Sequence, residues 1–132
     1  MAARALVRRR RSELEALAVQ LRTRLGLPPG ARLDLDALLP LVPLVVADGL
    51  PGSVLAACLV LPAGPSVLVR SDVWRESAGD VGRSRHTVVH EVAHALLHAD
   101  ELRFGIDLHA AGRHADELDA DWQADALAGA LL

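Results

Sequence analysis

The sequence contains few aromatic residues and only one cysteine. Among 132 residues the aromatics make up 2%, and there is no tyrosine, lysine or asparagine. The core must therefore be built from Leu, Val and Ala, and a chain of this length can bury enough of them without cross-links. The single cysteine, Cys58, excludes an internal disulfide. Because it lies in an apolar run, we expect a buried thiol in a reducing compartment.

Long hydrophobic runs are also absent. No run approaches the roughly 20 apolar residues that a membrane span requires. Glu13 and Glu15 interrupt the position where a signal peptide would have its apolar stretch. We therefore expect a cytoplasmic protein with no membrane partner. The length predicts a single domain over residues 1–132.

Charge is unevenly distributed, although the formal net charge is only −3. Residues 1–11 hold five arginines and no acid, and we expect them to form a basic, flexible arm. Such an arm can contact nucleic acid. However, the chain has no helix-turn-helix pattern and almost no aromatic residues for base stacking. We therefore expect no direct contact with nucleic acid.

Hydrophobic periodicity and turn residues predict an α+β fold, in which a small antiparallel sheet packs with flanking helices. Ser12 and Glu15 form a capping-box pattern at the start of the first helix, and Asp34 is expected to cap a short second helix. The stretches 72–83 and 100–115 are expected to be irregular. The predicted strands are 44–47, 54–61 and 66–70, and the predicted later helices are 84–98 and 116–132.

All six histidines lie between His86 and His114, and two of them form an HExxH motif at residues 90–94. At this composition about 0.01 such matches are expected by chance. Residues i and i+4 share one helix face, so His90 and His94 can reach a single metal ion. Glu91 would lie beside that ion, where it can take a proton from a water. His86 and His98, one turn to either side, are expected to have supporting roles.

A catalytic zinc site needs a third protein ligand. Asp100 stands where HExxHxxGxxD motifs have theirs, but Leu97 occupies the position of the required glycine. His109 and His114 lie in a predicted loop, where spacing does not constrain them. We therefore expect the third ligand to come from the last helix.

The last helix offers two acidic residues as third ligand, Glu117 and Asp121. Each is followed four residues later by an acid, Asp121 and Asp125 respectively. That second acid can accept a hydrogen bond from a ligating imidazole and fix its tautomer. Helical periodicity does not decide between the two pairs, Glu117 with Asp121 and Asp121 with Asp125, which are the two possible registers of the last helix.

Two segments resemble the ImmA/IrrE family of metallopeptidases. Residues 85–98 read RHTVVHEVAHALLH and are similar to the family pattern R-F-T-x-x-H-E-x-x-H-x-x-x-H. Residues 121–132 read DWQADALAGALL and are similar to E-x-Q-A-D/N-x-x-A-x-x-L-L. The resemblance implies a zincin-like fold with one zinc ion per chain. It implies that His90, His94 and Asp121 are the ligands. It also implies that Asp125 accepts a hydrogen bond from the free ring N–H of one ligating histidine.

The same resemblance implies a zinc-dependent endopeptidase in stress, phage or mobile-element regulation. Its protein substrate would be a helix-turn-helix repressor, and Glu91 would be the general base. A group is also needed to stabilise the oxyanion. Because there is no tyrosine, the candidates for this role and for substrate contact are His109, Arg113 and His114.

Asp121 stands where the family has glutamate, so its side chain is one methylene shorter. The last helix must then approach the metal more closely, which its small residues would permit; these are Ala120, Ala124, Ala128 and Gly129. Otherwise Glu117 would be the ligand. The shorter side chain also motivates an alternative, a non-catalytic zinc-binding domain that binds a repressor or other partner protein without cleaving it.

Overall fold

We describe the protein from a computed structural model, over residues 4–51, 53–79, 82–106, 108 and 115–132. This part of the chain forms five α-helices, two short 3-10 helices and a three-stranded sheet, so the predicted α+β class is confirmed. None of its helices combines the length and apolarity that crossing a membrane would take. In chain order the elements are α1 (Arg11–Arg24), a 3-10 helix (Leu35–Leu38), β1 (Leu44–Val46), β2 (Ala56–Leu61), β3 (Gly64–Val69), α2 (Ser71–Ala78), α3 (Gly82–Leu97), α4 (Ala99–Arg103), a second 3-10 helix (Asp116–Leu118) and α5 (Ala120–Leu131).

The sheet has the order β1-β3-β2. Strands β2 and β3 form the predicted antiparallel hairpin, in which Ala57 is opposite Leu68. Strand β1 pairs with β3 in parallel, so the prediction of an all-antiparallel sheet is wrong for this pair. Strand β3 lies in the centre and contains the buried Val67 and Val69, whereas β1 and β2 contain no fully buried residue. Strand β1 lies at the other edge of β3, so β1 and β2 are consecutive in the chain but are not neighbours in the sheet.

Two stretches expected to be irregular contain helices. Residues 71–78 form α2, where Val73 and Ser77 are buried one turn apart, a short pattern that the neighbouring polar residues obscured. Residues 99–103 form the short helix α4 directly after α3. Helix α2 therefore packs against α3, and α4 packs against β2, where the sequence predicted only loops.

Of the three helix starts that the sequence predicted, one is confirmed and two are at different residues. Asp34 accepts a hydrogen bond from the Asp36 amide, which confirms this cap. Helix α1 begins at Arg11 without a side-chain cap, so the capping box at Ser12 is wrong. Asp119 accepts from the Trp122 amide at 2.8 Å, so the last α-helix begins at Ala120 rather than at residue 116.

Helix α3 is the central element, because it packs against α2, α5, β2 and β3. Of the four small residues that were expected to admit the last helix, Ala124 and Ala128 belong to the main core. Ala120 belongs instead to a second small cluster with Ala5 and Leu108, and Gly129 is exposed. The motif helix is therefore held on several sides, which gives its side chains a fixed position.

Residues 4–10 lie against the start of the last helical segment. The Ala5 amide donates to Leu118 O at 2.8 Å, and the Arg9 amide donates to Glu117 O at 2.9 Å. Arg4 pairs with Asp119 as an isolated β-bridge, and Ala5 is buried. Part of the arm expected over residues 1–11 is therefore docked in this structure, through paired backbone groups and a buried alanine.

The docked segment should contribute to stability through burial rather than through charge. We expect Ala5→Asp to lower the free energy of unfolding by about 2 kcal/mol or more, because it buries a charge in an apolar cluster. Arg8→Ala removes an exposed ion pair with Glu117 and should change it by less than about 0.5 kcal/mol. Urea unfolding of both variants measures the difference. Equal, small effects would contradict the docked arrangement.

Candidate metal centre

Two histidines of α3 and one aspartate of α5 converge at one point. His90 Nε2 lies 3.0 Å from Asp121 Oδ1, and His94 Nε2 lies 3.7 Å from the same oxygen. The two imidazole rings are nearly perpendicular, with centroids 4.6 Å apart. Ligand atoms around a tetrahedral zinc ion are separated by roughly 3.3–3.4 Å, since each bond is about 2.0–2.1 Å long. The three side chains therefore form a group that could hold a metal ion.

Helix geometry accounts for this convergence. His90 and His94 are one turn apart on α3, and Asp121 lies in the first turn of α5, which packs against α3. The His94 side chain is fully buried, whereas 47% of the Asp121 side chain is exposed. The group therefore has one ligand candidate in the core, His94, and one at the solvent-exposed surface of α5, Asp121.

The other acids considered as ligands point elsewhere. The Glu117 carboxylate accepts from Arg8 Nη1 at 3.0 Å, and Asp100 accepts from Arg103 at 3.0 Å. Of the two third-ligand candidates in the last helical segment, Glu117 and Asp121, Asp121 is therefore the one that the structure brings beside His90 and His94. Its role as a ligand stays a prediction. The loop candidates His109, Arg113 and His114 lie outside the described residues.

Asp125 lies one turn along α5 from Asp121 and contacts the ring nitrogen of His90 that faces away from Asp121. Its Oδ1 lies 2.7 Å from His90 Nδ1 and 3.1 Å from His86 Nε2. A carboxylate that accepts from Nδ1 leaves the lone pair of a neutral imidazole on Nε2, which is the nitrogen that faces Asp121. His86, His90 and Asp125 also form a second group that could hold a metal ion, on the solvent side of the first.

His94 has a different set of neighbours. His94 Nδ1 lies 2.8 Å from His98 Nδ1, and His98 Nε2 lies 2.7 Å from Gln123 Oε1. All three side chains are buried, and burial lowers the pKa of His98 to about 4, so that this imidazole is neutral at neutral pH. Gln123 received no role from the sequence, although it lies inside the Q-A-D segment that resembles the family pattern.

Glu91 of α3 lines a groove together with Thr87 of the same helix. The groove has a volume of about 490 Å³ and runs between α3 and β2. Glu91 itself is 5% exposed. Except for Glu91 and Thr87 the lining is formed by apolar residues and Cys58; these are Val54, Leu55, Ala56, Ala57, Cys58, Leu102, Ile106 and Leu108. Among these lining residues Glu91 supplies the one carboxylate, which therefore lies in a largely apolar environment.

The Cys58 thiol reports on this environment. Burial, together with the nearby Glu91 carboxylate, raises its pKa to about 12. Because the thiolate is the reactive form, we expect iodoacetamide at pH 8 to alkylate Cys58 more than about 100-fold more slowly in the folded protein than in urea. Alkylation followed by mass spectrometry measures both rates. Comparable rates would contradict the half-buried position of the thiol near Glu91.

Comparisons with known proteins do not identify a relative. No family model, no curated protein and no solved structure matches this chain. The functional interpretation therefore depends on the geometry of α3 and α5 and on the two sequence segments that these helices carry.

Proposed function

We propose that this chain is a zinc-dependent endopeptidase with a zincin-like arrangement, related to the ImmA/IrrE metallopeptidases that its two segments resemble. The observation that carries the proposal is the convergence of His90, His94 and Asp121 next to a buried Glu91 that lines an apolar groove. A metal-binding group and a proton acceptor are both needed for metal-assisted hydrolysis. Here one helix supplies three of the four side chains.

The donor set fits zinc. Two imidazole nitrogens and one carboxylate oxygen are typical of catalytic zinc sites, which keep a further position open for water or substrate. The half-exposed Asp121 leaves such an opening on the side of α5. Zinc bound there would polarise the scissile carbonyl and lower the pKa of a water.

Glu91 would perform the proton transfers. Its carboxylate takes a proton from the attacking water and delivers it to the leaving amine of the cleaved bond. Its position on α3, one residue after His90, places it beside the candidate centre rather than among the ligand atoms. Asp125 would orient His90 by accepting from Nδ1.

The groove would receive the substrate as an extended segment. Strand β2 pairs with β3 along one edge, which leaves its other edge without a partner strand among the described residues. Residues 54–58 line the groove. An extended peptide can add to such an edge through backbone hydrogen bonds. Because the lining is mostly aliphatic, we expect an aliphatic substrate side chain next to the scissile bond.

The substrate class follows from the resemblance and agrees with the charge of the chain. We propose that the substrate is a helix-turn-helix repressor in the cytoplasm. Residues 100–125 contain eight acids and two arginines. An acidic surface attracts a basic DNA-binding protein and raises the rate of encounter.

Incubating the zinc-loaded protein with the repressor encoded beside its gene tests the proposal. We expect cleavage at one bond, read by gel and mass spectrometry, and its loss when zinc is chelated. Formation of a stable complex without cleavage would instead favour the non-catalytic regulator. Cleavage that persists after complete removal of the metal would contradict the zinc mechanism.

A further inference from the structure

We propose that His98 and Gln123 are positioning residues that fix the tautomer of His94 and so direct its Nε2 lone pair toward Asp121. The proposal rests on the candidate metal centre described above. It concerns His94, whose Nδ1 faces the imidazole of His98, whereas Nδ1 of His90 faces the Asp125 carboxylate.

Gln123 is the fixed end of this chain of hydrogen bonds. Its Nε2 donates to Val7 O at 2.9 Å and to Glu117 O at 2.8 Å. Both amide hydrogens are therefore used by backbone carbonyls, which accept and cannot donate. The opposite orientation of the amide would set its oxygen against these two carbonyl oxygens. Oε1 is thus the atom that faces His98.

The orientation of Gln123 determines where His98 carries its proton. Because Oε1 only accepts, His98 Nε2 must be the donor across their 2.7 Å contact. A neutral imidazole with hydrogen on Nε2 has its lone pair on Nδ1. Glu101 Oε2 lies 3.9 Å from the same Nε2, too far for a hydrogen bond, so that Gln123 decides the arrangement.

His94 then has one possible tautomer. His98 Nδ1 accepts, so His94 Nδ1 must donate across their 2.8 Å contact. The lone pair of His94 is left on Nε2, the nitrogen that lies 3.7 Å from Asp121 Oδ1. Metal binding through Nε2 needs this tautomer, because a protonated nitrogen has no lone pair to give.

The chain of hydrogen bonds also connects the centre to the N-terminal segment. One of the two carbonyls that orient Gln123 belongs to Val7, in the segment whose backbone pairs with residues 117–119. Docking of residues 4–10 therefore contributes to the alignment of a residue that is distant in sequence. This gives the basic N-terminal segment a structural role without nucleic acid.

The test combines zinc affinity with nitrogen NMR. In the full-length protein, His98→Leu removes the acceptor at similar size, whereas His98→Asn keeps an oxygen near the Nδ1 position. Outer partners of metal-bound histidines typically contribute 10–100-fold to affinity, so we expect His98→Leu to weaken zinc binding about 10-fold or more against a competing chelator. His98→Asn should recover most of that loss. Gln123→Leu should weaken binding in the same direction.

Histidine 15N spectra of the metal-free native protein test the tautomer without any variant. We expect His94 to carry its hydrogen on Nδ1 and His98 on Nε2. The reverse assignment for either ring would overturn the proposal, as would unchanged zinc affinity in folded His98→Leu. If the native protein cleaves no repressor, or even binds no zinc, the proposed function fails while these spectra still decide the tautomers.

Discussion

Replacing Glu91 by glutamine is expected to abolish peptide hydrolysis while zinc remains bound. The substitution preserves size and removes the proton acceptor. General acid–base groups contribute typically 10²–10⁴-fold to enzymatic rates, and we expect a loss of about 10³-fold in kcat/KM. Because Glu91 lies beside the His90, His94 and Asp121 group rather than in it, zinc stoichiometry should not change. Cleavage assays and metal analysis on the same preparations measure both quantities.

A matched substitution on the surface provides the control. Glu13→Gln makes the same chemical change at an exposed position of α1, and its activity should equal that of the native protein. Equal cleavage by Glu91→Gln and native protein would exclude Glu91 as the base. Regulation of the repressor that survives in Glu91→Gln would indicate the non-catalytic alternative.

Removing the Asp121 carboxylate is expected to have the largest effect on metal binding. Asp121→Ala leaves two histidines, and we expect zinc affinity to fall by more than about 100-fold, beyond the range typical of outer partners. At a free zinc concentration 100 times Kd, the native protein should gain about 2.7 kcal/mol from zinc. For a chain of this size the gain is roughly 10 °C in Tm. Thermal unfolding with and without zinc should show this shift in the native protein and not in Asp121→Ala.

Two further variants separate the possible registers of the last helix. Glu117→Ala removes the carboxylate that pairs with Arg8 and should leave zinc affinity within about threefold of the native value. Asp121→Glu restores a carboxylate with one more methylene and should keep most of the affinity. If zinc is retained in Asp121→Ala but lost in Glu117→Ala, the third ligand is Glu117 and the proposed centre is wrong.

The motif helix and the hairpin could be predicted from the sequence because both depend on local patterns. The spacing of His90 and His94 requires a helix, and turn residues mark the β2–β3 hairpin. By contrast, the parallel pairing of β1 and the docking of residues 4–10 depend on contacts between distant parts of the chain. No local pattern reports such contacts, and tertiary packing decides them.

Within the site, the sequence identified the residue types but not all of their partners. The two registers of the last helix were equally periodic, so Asp121 was favoured over Glu117 only through the resemblance. In the structure Asp119 caps α5, so that this helix contains Asp121 but not Glu117, and Asp121 Oδ1 lies 3.0 Å from His90 Nε2. The sequence gives no reason to assign a role to Gln123, because a single uncharged polar residue in an apolar helix does not identify its hydrogen-bond partners. Its contacts with His98 and with two backbone carbonyls come from three separate segments.

The most direct test of the metal centre is a crystal structure of the zinc-loaded protein with anomalous data at the zinc absorption edge. We expect one peak per chain, bonded to His90 Nε2, His94 Nε2 and an Asp121 carboxylate oxygen at about 2.0–2.2 Å. A peak among His86, His90 and Asp125 alone, a second group of the described residues that could hold an ion, would contradict this expectation. A zinc-loaded crystal without a peak at His94 would contradict it equally.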